Sequence, residues 1–376
     1  MVKKIIWISS YLPRSCGIAY YSKDYLTALK YYFKKSNKKV SIKIIAHTDA
    51  KQADYPIIDN IKDTNWHKKV LKVVKKEKPS LVHIQHEYGL YETKEDRNKR
   101  LIELIKNIRK LGIKVFMTYH SIYEKLEDYQ KEFVAQAQEC LNAGIFHEQY
   151  QKDALKKNIG YVPQNVYVLP HGSEEGINFN KEKIRQEFGY SKDELIVGAA
   201  GLADERKGLR TLINQWPKVI KKIPNAKLVM EIKPLFAEQT RIYINDVLKT
   251  IMQCPVSHTI EFIVKDYKKR EFYKRLSSFD ILVLPYKSES QSGLLAHGFA
   301  AGTPAIVTDI EGLGAEIRNS NGGIAVKSRN QFYKSIIFLL ENKKLRNKYS
   351  QNIRNYVKNI NGWSIIAKKT YEIWEK

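Results

Sequence analysis

Residues 281–309 read ILVLPYKSESQSGLLAHGFAAGTPAIVTD, and the order of their side-chain types decides the fold. Apolar residues 281–284 stop at Pro285, and a polar loop follows. Residues 294–301 have the small, apolar composition of a buried helix, which Gly302 and Pro304 end before a second apolar run at 304–308. Strand, helix and strand in this order form the unit from which parallel sheets are wound. The same rhythm extends outward in both directions. Runs suited to strands stand at 4–10, 40–46, 81–85, 114–119, 144–147 and 165–169, and again at 195–200, 227–232, 259–264, 281–285, 304–308 and 323–326, with helical patterns between them.

This pattern predicts an α/β protein of two doubly wound domains. A chain of 376 residues agrees, because single cores stop growing near ~250–300 residues. Pro170, His171 and Gly172, followed by Ser173, Glu174, Glu175 and Gly176, have turn chemistry and mark a hinge. The first domain is therefore expected over 1–175 and the second over 176–360. After helices expected at 330–341 and 343–357, Asn361 and Gly362 interrupt the pattern. The remainder, 361–376, reads as a last helix whose Ile365, Ile366, Tyr371, Ile373 and Trp374 require a partner surface.

Composition narrows the class. With 43% hydrophobic and 28% charged residues, the chain can bury substantial cores. The longest apolar candidate, 293–307, contains His297 and Pro304 and falls short of the roughly 18 residues that span a bilayer. Three cysteines, Cys16, Cys140 and Cys254, without a CxxC pair, suggest neither a disulfide framework nor a zinc site. A cytoplasmic location is expected, with peripheral attachment to the inner face of a membrane as an option. The net charge of +25 lies mainly in lysine runs at 30–39, 68–78 and 265–275. Such runs suit solvated helix faces, an anionic membrane surface or a nucleic acid alike, and charge alone does not separate these.

Ligands of doubly wound sheets bind beyond the carboxyl ends of the strands. There the first half places Gly17 ahead of a helix, His86, Glu87 and Tyr88 after one strand, and His120 and Ser121 after another; His147 and His171 also follow strands. A glycine before a helix permits close backbone approach, and a histidine can bond sugar hydroxyls or handle protons, although a single one is as readily structural. In the second half, Arg206 and Lys207 stand in the loop GLADERKG, residues 201–208. Adjacent cations there suit a departing diphosphate. Ser290, Ser292, Gly293 and Leu294 open the helix at 294–301, where unpaired N–H groups form an anion site; an ordinary helix cap is the plainer reading.

With YLPRSCGIA (11–19), QHEYG (85–89), TYH (118–120), LPHG (169–172), GLADERKG and the segment 284–309, the chain resembles the GT-B-fold glycosyltransferases of family 4, retaining enzymes that use nucleotide sugars. The resemblance implies a GT-B architecture of two Rossmann-like domains facing each other across a cleft. It implies that Lys207 and Arg206 hold the donor diphosphate, that Gly17 lies near donor phosphates or acceptor, and that His120 contacts the transferred sugar. The family carries two glutamates separated by seven residues; here Glu289 is the first and His297 occupies the place of the second. Leu202 stands where a cation is usual. These departures leave the donor base open, with a UDP- or GDP-sugar as the expected donor substrate and neither a tightly bound cofactor nor a metal. The expected acceptor is a glycan or lipid-linked glycan. DNA carrying a modified base is an alternative acceptor, and a non-catalytic protein that binds nucleotide or sugar is an alternative of another class.

Overall fold

The computed structural model describes residues 2–91, 93, 95–233, 238–288 and 291–376. It forms two compact units, residues 1–172 with 363–376 and residues 173–362. The first contains β1 (Lys4–Ile8), α1 (Gly17–Lys35), β2 (Ser41–His47), β3 (Tyr55–Ile58), α2 (Trp66–Glu77), β4 (Leu81–His86), α3 (Tyr88–Tyr91), α4 (Lys99–Lys110), β5 (Lys114–Tyr119), α5 (Asp128–Cys140), β6 (Ala143–Phe146), α6 (Gln149–Ile159) and β7 (Val166–Val168). The second contains α7 (Lys181–Glu187), β8 (Leu195–Leu202), α8 (Leu209–Ile220), β9 (Ala226–Lys233), α9 (Glu238–Met252), β10 (Ile260–Val264), α10 (Lys269–Ser278), β11 (Ile281–Leu284), α11 (Gly293–Ala300), β12 (Ala305–Thr308), α12 (Glu311–Ser320), β13 (Gly323–Val326), α13 (Phe332–Glu341) and α14 (Lys343–Tyr356). The chain then returns to the first unit as α15 (Trp363–Glu375).

The first sheet has the order β3-β2-β1-β4-β5-β6-β7 and the second β10-β9-β8-β11-β12-β13, with neighbouring strands parallel throughout. Both are doubly wound, and in each the winding reverses beside the unit's first strand, between β1 and β4 and between β8 and β11. A crevice opens at such a reversal because the connections leave the two strands toward opposite faces. Burial follows the architecture. All six residues of β4 are buried, as expected of a strand covered on both faces. Along β1, Ile6 and Ile8 join one core while Ile5 and Trp7 join the other, the two-residue alternation of a strand between two helical layers.

The strand absent from the sequence reading is β3. Its second residue, Pro56, lacks an N–H, which argues against a strand in a sheet interior; β3 lies at the sheet edge, where that loss is tolerated. Beyond α14 the chain makes a π-helical turn, Val357–Asn361. Asn361 is fully buried, its Nδ2 donating to Ser173 Oγ at 3.0 Å, while the Ser173 N–H donates to the Asn361 carbonyl at 2.8 Å. A Cβ on Gly362 would lie 2.6 Å from the Val357 carbonyl, so the interruption seen in the sequence is a sterically enforced one.

The partner surface of α15 lies within the first unit, against α1. Tyr25 and Thr370 share a short hydrogen bond, and Tyr371 packs on Tyr32 and Phe33. Trp374 is fully buried, and its indole N–H donates to His83 Nδ1 at 3.0 Å. Because an indole only donates, His83 Nδ1 carries a lone pair, and Nε2 carries the proton shared with Thr118 Oγ1 at 2.8 Å. His83 is held neutral in one tautomer.

Burial depresses the basicity of His83, His86 and His147 to about 3 and that of His171 to about 4. The ordinary histidine value is about 6.5. As pH falls from there toward 3, the unfolded chain takes up protons that the folded chain refuses, so stability falls with pH across that window. Urea unfolding at pH 7 and pH 5 is expected to show a loss of roughly 2 kcal/mol between the two for each such histidine, since the slope of ~1.4 kcal/mol per pH unit is reached only below the ordinary value. An unchanged free energy would show that these rings are not buried as neutral groups.

Candidate functional site

The loops that follow β8 and β11 meet at the reversal point of the second sheet. Gly201, at φ +117°, turns the end of β8 in a conformation that favours glycine, and a Cβ there would touch Leu294 at 3.4 Å. Asp204 then caps the 3-10 turn Glu205–Lys207, its carboxylate accepting from the Arg206 N–H at 2.7 Å. Gly208 closes the loop at φ +68°, and a Cβ on it would lie 2.1 Å from the Pro285 carbonyl oxygen. The Lys287 N–H donates to the Arg206 carbonyl at 2.7 Å, and the Lys287 ammonium pairs with Glu205, which also accepts from Arg210 at 2.8 Å. Two backbone contacts and an ion pair therefore lock the loops together.

The side chains are arranged by this lock. The Lys207 ammonium lies 3.9 Å from the centroid of the Tyr286 ring, a cation–π contact that keeps its four-carbon stem half-buried. Arg206 is 57% exposed, and its guanidinium grips Asp204 through Nε at 3.1 Å and NH2 at 2.8 Å. Partial burial opposes ionisation of Asp204, yet the bonds from Arg206 overcome it and hold the carboxyl below its ordinary value. Arg206 thus carries its own counter-ion, and Lys207, over the Tyr286 ring, also acts on the Asp204 carboxylate.

Ser292 caps α11, accepting from the Leu295 N–H at 3.3 Å, so the helix begins at Gly293 with Leu294 in its first turn. The Nδ1 of His297, one turn further, is bonded to the Tyr273 hydroxyl of α10 at 3.0 Å, and its ring meets Phe272 and Tyr273 edge-on. Glu289 and Ser290 lie outside the described residues.

In the first unit, Gly17 is the first residue of α1, and a Cβ there would meet nothing within 4 Å. Its backbone borders open space. His120 is buried at the end of β5, with Nε2 2.9 Å from Gln85 Oε1. An amide oxygen only accepts, so Nε2 carries the proton and Nδ1 is the acceptor nitrogen. Tyr21 stands edge-on to His120, His147 and His171, and His147 lies 5.2 Å from His120 between ring centres. Burial, and then the neighbouring His147 and His171, push the basicity of His120 well below the ordinary value, so this cluster is neutral near pH 7. His86 belongs elsewhere: it is fully buried, stacked on Phe133 and edge-on to Tyr88 and Tyr119. Glu87 accepts from Ser121 in a short hydrogen bond.

Sequence reasoning left out Tyr286, Lys287 and Tyr273. Lys287 follows the strand within the loop already singled out, and its charge opposite Glu205 could have signalled the lock; nothing in the sequence ties Tyr273 of α10 to His297.

The second unit matches the family model described as glycosyl transferases group 1, over residues 180–356. An uncharacterized glycosyltransferase of Methanocaldococcus jannaschii is 28% identical over 206 residues, 54% of this chain and 49% of that protein, so the chain spans about half the length of this curated relative. Among solved structures, a glycosyltransferase from Rickettsia africae ESF-5 superimposes with a TM-score of 0.77 at 16% identity, covering 100% of this chain and 98% of that one. Anabaena HepE in complex with UDP-glucose does so with a TM-score of 0.73 at 13% identity, covering 99% of each chain. The architecture is that of the GT-B glycosyltransferases, as the resemblance implied. The matched residues include both locked loops, α11 and the Tyr273–His297 pair.

Gly208 is the residue on which the lock turns. Gly208→Ala is expected to destabilise the second unit by roughly 2–4 kcal/mol, through a left-handed backbone and a clash with a carbonyl that cannot move aside. Urea denaturation measures this, and an unchanged midpoint would mean that the loops do not touch in solution.

Proposed function

We propose that the protein transfers a sugar from a nucleoside diphosphate sugar to an acceptor hydroxyl, with retention of anomeric configuration. The observation that carries this reading is the lock between the loops after β8 and β11, which brings Lys207 and the start of α11 to one end of one sheet. In the transfer the bond from the anomeric carbon to the diphosphate oxygen breaks, and its electron pair leaves with the diphosphate. Lys207 and the first N–H groups of α11, at Gly293 and Leu294, meet that developing charge; fixed donors act best where charge appears only in the transition state. Arg206 joins them by exchanging its Asp204 partner for phosphate oxygen. Ser290, Ser292 and Glu289 complete the donor side, and His297, anchored by Tyr273, faces the nucleotide in place of the usual glutamate. His120, neutral and with an acceptor nitrogen, takes a hydroxyl of the transferred sugar, and Gly17 leaves room beside it.

A UDP- or GDP-sugar is the donor, a choice supported by the UDP-glucose bound in the HepE structure. The acceptor is a glycan or a lipid-linked glycan. One observation favours a second reading: Leu202 in place of a cation and the pairing of Arg206 with Asp204 reduce the positive charge available, as in a protein that binds a donor without turning it over.

Two measurements test these readings. A thermal-shift screen of UDP-, GDP- and ADP-sugars names the donor, since a ligand at 100 times its Kd adds ~2.7 kcal/mol to the folded state. With that donor, Lys207→Ala is expected to lower kcat by roughly 30- to 1000-fold, equivalent to ~2–4 kcal/mol of transition-state stabilisation. Turnover within threefold of the parent would remove Lys207 from the reaction, and donor binding without any turnover would establish the second reading.

A further inference from the structure

Helices α2 and α4 lie side by side on one face of the first sheet, and their charge is one-sided. Residues 66–78 and 99–110 carry eleven Lys and Arg against two Glu. Both acids are engaged, Glu77 with Lys4 at 3.2 Å and Glu103 with His67 at 3.3 Å. By contrast Lys68, Lys72, Lys75, Lys76, Lys106 and Lys110 are exposed and make no ion pair among the described residues. The apolar side chains of the two helices, including Trp66, Val70, Val74, Leu101 and Ile105, are turned into the core. Helix stability does not require cations in this number; complementing the helix dipole uses only those of the last turn, here Lys75, Lys76, Arg109 and Lys110.

We propose that the α2–α4 face docks on an anionic bilayer surface. Clustered lysines on amphipathic helices are attracted to anionic lipid without specific pairing, each contributing roughly fivefold to partition at the surface. Nine of the eleven basic residues are lysine, a compact charge suited to such a field, whereas reading nucleic acid favours arginine forks and exposed rings for stacking. The one aromatic side chain of the two helices apart from His67 is Trp66, which is fully buried. Exposed apolar side chains flank the face instead: Ile61 ahead of α2, 79% exposed, and Leu111 directly after α4, 43% exposed. These suit insertion at the level of lipid headgroups. A cavity of about 450 Å³ between α4 and α5, lined by Lys99, Lys106 and Lys110 with Tyr129 and Glu132 opposite, offers room for a phosphate headgroup. The inference deepens the proposed acceptor, since a lipid-linked glycan is presented at such a surface, and its test needs no transfer assay.

The full chain is mixed with vesicles of phosphatidylcholine alone, or with about 30% phosphatidylglycerol, in ~0.1 M salt, and bound protein is separated by flotation. Binding is expected only to the anionic vesicles and is expected to weaken at high salt. The variant Lys72→Gln, Lys75→Gln, Lys76→Gln, Lys106→Gln should lose roughly 600-fold in vesicle affinity while keeping its melting temperature and its shift with the donor sugar nucleotide. The control Lys343→Gln, Lys344→Gln, Lys348→Gln, Lys358→Gln removes the same charge from the other unit and should bind vesicles like the parent. The proposal is overturned if the parent ignores anionic vesicles, if both variants lose binding equally, or if the first variant loses affinity for duplex DNA while its vesicle binding is unchanged. The absence of a response to every nucleotide sugar of the screen in the parent would refute the proposed function and leave the vesicle result standing.

Discussion

A side chain at residue 208 has nowhere to go. The Pro285 carbonyl occupies the place where a Cβ would stand, because β8 and β11 are neighbours at the point where the winding of the sheet reverses. A glycine in the left-handed region lets one loop descend onto the backbone of the other, and the Lys287 N–H then reaches the Arg206 carbonyl. From that approach the remaining geometry follows. Tyr286 comes under the Lys207 ammonium, Glu205 finds Lys287, and α11 starts from the same rim. The topology supplies the crevice; one missing methyl group lets it close around a set of donors.

The two units handle polarity differently at their strand ends. In the second, charges are partnered by opposite charges near solvent, and the carboxylates of Asp204 and Glu205 remain ionised against partial burial because cations stand beside them. In the first, imidazoles are surrounded by rings, and burial outweighs any gain from protonation. A cluster of neutral histidines gives directional donors and acceptors without net charge, which suits hydroxyl groups better than phosphates. The division agrees with a sugar or acceptor role for one unit and a phosphate role for the other.

Much of the fold was legible because it is repetitive. Fully buried parallel strands announce themselves as short apolar runs, and the connecting helices by their period, so twelve strands could be expected from the sequence near where they occur. The thirteenth, β3, begins with Tyr55 and Pro56 and has the composition of a loop; pairing with β2 alone makes it a strand. For the site, glycines and cations after strands marked the loops, since their backbone demands are local. What stayed hidden is long-range: that Arg206 would be bound by Asp204, that Tyr273 would anchor His297, and that His83 would receive the indole of Trp374 from 291 residues away. Side-chain pairings of this kind depend on the finished packing and leave no period or spacing behind.

The return of α15 to the first unit sets an order of events during synthesis. Tyr25 and His83 receive Thr370 and Trp374 only when residues 363–374 have been made, long after β7 has been completed. The second unit, continuous in sequence over 173–362, can pack as the ribosome finishes it. The first must wait with an apolar groove uncovered. The earliest part of the chain is thus the last to be sealed.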